Sequence, residues 1–130
     1  MSHITTVRTK LKDGLILKKV LEKLGYRVGG GDAGSHFVRH RLPKNLELIA
    51  EKDRFYIGFR RLRRDGAYEM LADWDGCRGS RERMVGEIHQ LYSREKILDL
   101  ARARGYAVTR NQVNERGQIE MVLCKFGGIR

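Results

Sequence analysis

The stretch LELIAEKDRFYIGFRRLRRDGAYEMLADW, residues 46–74, decides the fold. It holds three runs rich in apolar and aromatic residues: Leu46 to Lys52, Phe55 to Leu62 and Ala67 to Trp74. Asp53 parts the first two, and Arg64, Asp65 and Gly66 form the turn before the third. Alternation at period two between turn residues predicts strands. The connections are too short for a crossover, so the three are expected to pair as an antiparallel meander. In the middle run Phe55, Ile57 and Phe59 point one way and suit a core. Tyr56, Gly58 and Arg60 point the other and are expected to expose an aromatic beside a glycine and a guanidinium.

Towards the N-terminus, His3 to Lys10 alternates with β-branched residues and predicts a further strand, ended by Asp13 and Gly14. Leu17, Val20, Leu21 and Leu24 then recur at helical spacing, with Gly25 as the stop. Next comes a Gly-rich loop from Gly29 to Ser35; His36 to Arg41 is short with extended character, and Pro43 and Asn45 break the pattern. Beyond the meander, Met84, Val85, Ile88, Leu91 and Tyr92 form a helical stripe that Ile97, Leu98 and Ala101 continue to Gly105. Ser93 either opens a new helix or lies inside one long one. Tyr106 to Gln112 and Gln118 to Phe126 predict a closing hairpin around Asn114 to Gly117.

The two halves resemble each other. Leu24, Gly25, Tyr26, Arg27, Val28 parallels Arg104, Gly105, Tyr106, Ala107, Val108, and the run from Leu46 to Lys52 parallels Ile119 to Lys125. The expectation is one α+β domain over residues 1–130. It has a single antiparallel sheet of five to seven strands, two or three helices packed on one face, and weak duplication with units 3–62 and 67–126 and an inserted loop 29–44.

With 130 residues the chain can bury one real core but not two independent ones. No apolar run approaches the roughly 20 residues of a membrane span. The N-terminus has no basic start followed by an apolar stretch, so the protein is expected in the cytoplasm, with Cys77 and Cys124 as reduced, partly buried thiols. Lys and Arg number 27 against 16 Asp and Glu, a formal charge of +11 that favours anionic partners, nucleic acid first among them.

Tyr68, Glu69, Met70, Leu71, Ala72, Asp73, Trp74, read with Met1, Ser2, His3, Thr5 and Thr6, resembles the domain of unknown function 1257 family. That family includes the plastid and cyanobacterial conserved reading frame 35. Leu24-Gly25-Tyr26, Ile57-Gly58-Phe59, Gln90-Leu91-Tyr92, Gly105-Tyr106 and Gly117-Gln118-Ile119 stand in the expected order along nearly the whole chain. Two departures stand out: Asp75 replaces the second Trp to which the family tends, and the basic run Arg60, Arg61, Arg63, Arg64 is stronger. The resemblance implies no activity to carry over. Members tend to be encoded near an AAA-type ATPase, which implies a protein partner.

Candidate chemistry is sparse. Gly29, Gly31 and Gly34 spell G-x-G-x-x-G, but the run His36 to Arg41 after them does not read as a helix and no acidic residue stands at the right distance, so a surface loop is the better account. Asp73 to Gly76 resembles half a calcium loop without the remaining oxygens. His36 and His40 lack the intervening Glu of a metalloprotease helix, and no catalytic set falls together. No catalytic residue, metal or cofactor is therefore assigned. Trp74 reads first as core or core rim. The basic elements say most: Tyr56 with Arg60, Arg61, Arg63 and Arg64, joined by Arg39 and Arg41 from the insertion, have the makings of a sheet surface where bases stack and phosphates pair with Arg. A solvated, aggregation-resistant edge fits the same residues. The expected function is a non-catalytic basic domain that contacts nucleic acid or another polyanion; the alternative is a protein-interaction adaptor for an acidic partner or an AAA-type ATPase, through the same face or the inserted loop, and a small enzyme ranks third. Apolar residues on both faces of the Tyr68 strand are compatible with a dimer.

Overall fold

A computed structural model of the chain describes residues 4–30, 45–74 and 80–125. The chain divides into two compact units, residues 1–88 and 89–130.

The first unit is built on a five-stranded, wholly antiparallel sheet of β1 (Thr5–Arg8), β2 (Arg27–Gly30), β3 (Leu48–Lys52), β4 (Phe55–Arg60) and β5 (Glu69–Ala72), in the order β1-β5-β4-β3-β2. The meander is present as β3, β4 and β5. Asp53 and Arg54 turn between β3 and β4 with φ of 50° and 66°, so the connection is a two-residue tip with both residues left-handed, the form that matches strand twist. Between β1 and β2, the two edges, runs α1 (Gly14–Lys23). Asp13 starts it by accepting hydrogen bonds from the Leu15 and Ile16 amides at 3.1 Å each. It stops at Gly25 (φ 93°), where Tyr26 N–H reaches Leu21 O and Gly25 N–H reaches Glu22 O, both at 3.0 Å. Only a residue without Cβ takes that left-handed position without cost.

Register assigns the faces. Phe59 lies between Leu48 and Met70, and Ile57 between Ala50 and Ala72, so these share the first face with Tyr68, which extends β5 through Tyr68 N–H to Leu11 O at 2.7 Å. Phe59, Ile57, Met70 and Tyr68 have no exposed surface, nor do Leu17, Val20 and Leu21 of α1. Gly14 opens α1 so close to the Tyr68 hydroxyl that a side chain there would collide with it. The core is therefore the first face under α1. Trp74 is half-buried at the rim, its ring 5.8 Å from that of Phe55 and its indole N–H donating to Thr5 O at 3.3 Å.

The second face is not the open surface expected of it. A bend at Glu47 breaks the alternation that would have put Leu46 on the first face, and Leu46 instead covers Gly58. Leu46, Ile49 and Leu71 form a buried cluster with Tyr56 packed against it. Both faces of β5 are thus covered within the chain, which removes the apolar surface that suggested a dimer.

Helix α2 (Arg81–Ala103) supplies its first eight residues to the first unit and the rest to the second. It is one continuous helix through Ser93, and Gly105 (φ 75°) ends it. The second unit adds β6 (Tyr106–Val113) and β7 (Ile119–Lys125), an antiparallel ribbon with a bulge between Val108 and Arg110. Its turn is closed by Asn114 N–H to Gln118 O at 2.8 Å, and the Gln90 amide donates to Gly117 O. The expected single sheet is therefore a five-stranded sheet and a separate two-stranded one, because β6 and β7 pair only with each other. The order strand, helix, Gly-Tyr, strand, strand occurs twice, as β1-α1-β2-β3 and β5-α2-β6-β7. Gly29 belongs to β2 rather than to a loop; His3, Gly31 to Lys44, Asp75 to Gly79 and Phe126 lie outside the described residues. Cys77 is among these, and Cys124 is a free thiol that is exposed rather than partly buried.

Candidate binding surface

The cations singled out in the sequence part company in the fold. Arg60 ends β4 on the second face, directly opposite Glu69, and its Nε donates to Glu69 Oε1 at 3.3 Å. Arg61, one residue on, turns toward the first face. Its Nη2 donates to both Glu47 oxygens at 2.9 and 3.0 Å and its Nη1 to Lys12 O at 3.0 Å, and the guanidinium carbon lies 4.5 Å from the centre of the Tyr68 ring. Its side chain is only 17% exposed. Two guanidinium groups expected to meet phosphates are thus neutralised by carboxylates of the same chain. Tyr56 is half-buried on the Leu46 cluster, with less ring face open for stacking than expected. Arg63 and Arg64 are exposed on the turn after β4; Arg39 and Arg41 lie outside the described residues.

The Arg61 network also shapes the molecule. Tyr68 donates its hydroxyl to the Glu47 carboxylate that Arg61 holds. Burial, then the hydrogen bond to Glu47 and its charge, push the Tyr68 hydroxyl well above the ordinary tyrosine range, against the opposing pull of Arg61. Because the folded form keeps its proton longer than the unfolded one, this contribution to stability is complete below pH 10, the ordinary value, and declines as pH rises beyond it. Above pH 10 the stability of the protein should therefore fall more steeply than that of Tyr68→Phe. Urea titrations at pH 9, 10 and 11 check this, and parallel slopes would refute it.

By bonding to Lys12 O, Arg61 ties the connection between β4 and β5 to the segment that leads into α1. One segment carries Leu62, Arg63 and Arg64, the other Lys10, Lys12 and Leu15, all exposed. Leu15 and Leu62 are 84% and 85% exposed, the two most exposed large apolar residues described. Leu15 had a sequence signal: two residues before Leu17, it falls about 200° round the helix from the buried stripe, on the polar face. Leu62 had none, since it read as the end of a strand. Neither did Glu47, whose pairing with a residue fourteen positions away exists only in the fold.

Among the described residues no group of three or more His, Cys, Asp and Glu could hold a metal ion, and no helix is long and apolar enough to cross a membrane. The sequence profile of the family described as "Protein of unknown function (DUF1257)" matches residues 20–122, well over half of the chain. The chain belongs to that family. This DUF1257 member is 26% identical over 129 residues to the "Uncharacterized protein ycf35" of Cyanophora paradoxa, covering 97% of this chain and 98% of the relative. No solved structure matches it.

Proposed function

We propose that the protein is a non-catalytic adaptor that docks onto an acidic protein surface through the basic end of its first unit. Leu15 and Leu62 serve as apolar contacts, and Lys12, Arg63 and Arg64 as the surrounding cations. The observation that carries this reading is the exposure of two leucines beside exposed cations while Arg60 and Arg61 are paired internally. An apolar contact ringed by charge is the anatomy of a protein interface, whereas a nucleic-acid platform draws on unpaired cations and open aromatic faces. The resemblance to a family encoded near AAA-type ATPases supports a protein partner.

Burying one leucine contributes about 1.5–3 kcal/mol. The double variant Leu15→Ser, Leu62→Ser should therefore weaken binding of a labelled peptide of alternating Glu and Leu at least tenfold in fluorescence anisotropy. A peptide of Glu alone should bind more weakly and be indifferent to the two leucines. Equal binding of both peptides by wild type and variant would overturn the adaptor reading. The second reading rests on the net charge of +11: if a single-stranded RNA binds instead, with affinity that falls steeply with salt and ignores the leucines, the partner is nucleic acid.

A further inference from the structure

At the other end of α1, within the first unit, lies a cleft of about 310 Å³, the size of a small ligand's site. Tyr26 and Phe55, both largely buried, line it together with the half-buried side chains of Leu24 and Met84. Lys52 stands beside it in a defined place: its ammonium donates to Leu24 O at 2.8 Å and lies 5.5 Å from the centre of the Tyr26 ring. An ammonium has three donors, so this arrangement leaves N–H groups for a ligand. Arg83, positioned on the first turn of α2 where its amide donates to Ser80 Oγ at 3.0 Å, adds a second cation. Of the two acids on the lining, Glu87 is engaged by Arg83 at 3.4 Å, and Asp53 projects from the hairpin tip.

We infer that this cleft binds a compact apolar or aromatic body carrying one carboxylate, the body on Tyr26, Phe55 and Met84 and the carboxylate at Lys52, whose ammonium uses one donor on Leu24 O. The inference is independent of the adaptor reading, which uses the opposite end of the helix. The apolar lining supplies contact area without directional preference. The fixed ammonium selects the sign of the end group: with Arg83 and Glu87 paired to each other, Lys52 is the charge held at the Tyr26 side of the cleft, and it would repel a cationic end.

Trp74 is the only tryptophan and packs against Phe55, so its fluorescence reports occupancy. Titration with 4-phenylbutyrate should give a saturable change with Kd on the order of 1 mM, as expected for a ligand of this size. The neutral 4-phenylbutyramide should bind at least fivefold more weakly, and 4-phenylbutylamine more weakly still. Lys52→Gln should weaken the carboxylate about tenfold and leave the amide unchanged, and Met84→Trp, which fills the cleft but adds a second tryptophan, should abolish both when binding is read by ligand-observed NMR instead of fluorescence. Equal affinity for the three probes, no saturation by any of them, or the same change from inorganic phosphate alone would overturn the proposal. So would full 4-phenylbutyrate binding by Met84→Trp with its melting temperature intact.

Discussion

Phe59→Ala is expected to lower the stability of the protein by about 3–5 kcal/mol, the range for deleting a fully buried aromatic side chain. Phe59 has no exposed surface, sits at the centre of the sheet between Leu48 and Met70, and meets the Tyr68 ring edge to face with centroids 6.4 Å apart. The loss has three sources: burial of the ring, its contact with Tyr68, and a cavity that strands on both sides cannot close. Typical domains have only about 5–15 kcal/mol in hand, so the variant should melt at least about 10 °C lower. Urea unfolding followed through Trp74 gives the number directly. A loss under about 1 kcal/mol would mean that β4 does not present Phe59 to the core.

Gly58→Val probes the opposite face from the neighbouring position, and the expected result is a loss of about 1–3 kcal/mol, although valine is the better strand former. A Cβ at Gly58 would stand 2.6 Å from Leu46 Cδ1 and 2.9 Å from Cδ2. Those atoms end a flexible side chain, but Leu46 is itself buried against Ile49 and Leu71 and has little room to withdraw. Leu46→Ala in the same chain should therefore restore part of the loss. Coupling of at least about 1 kcal/mol in the double-mutant cycle is expected, and additivity of the two changes would refute the contact.

These two residues also show how far the sequence could be read. Phe55, Ile57 and Phe59 announced a core-facing set because alternation is a local property of the strand, and all three are buried. Tyr56, Gly58 and Arg60 were assigned to the other face correctly, yet alternation cannot say what lies over a face. Gly58 read as a gap in an open surface; it is the seat of Leu46, brought there by a bend at Glu47 that no periodicity contains. Strand β2 escaped notice for a related reason. It is a four-residue edge ending in two glycines, and it is a strand only because β3 offers it partners from Leu48 to Glu51.

The candidate surface divides along the same line. Net charge, the positions of the arginines and the off-stripe Leu15 are facts of composition and spacing, available before any fold. Whether an arginine is available to a partner depends on the acids beside it. Glu69 is opposite Arg60 through strand register, and Glu47 meets Arg61 because Tyr68 and the start of α1 hold both in place.

The meander and the Gly-Tyr helix ends were legible in the chain because they arise from residues near one another, and the family and the excess of positive charge because they depend only on residue type and order along it. Only the folded chain shows that β6 and β7 pair with each other and not with the five-stranded sheet, that one helix runs through Ser93, that Arg60 and Arg61 are neutralised, and that Leu15 and Leu62 are exposed on segments joined through Arg61 and Lys12. Hydrogen-bond pairing between strands and ion pairing between distant residues depend on distances that only the folded chain sets.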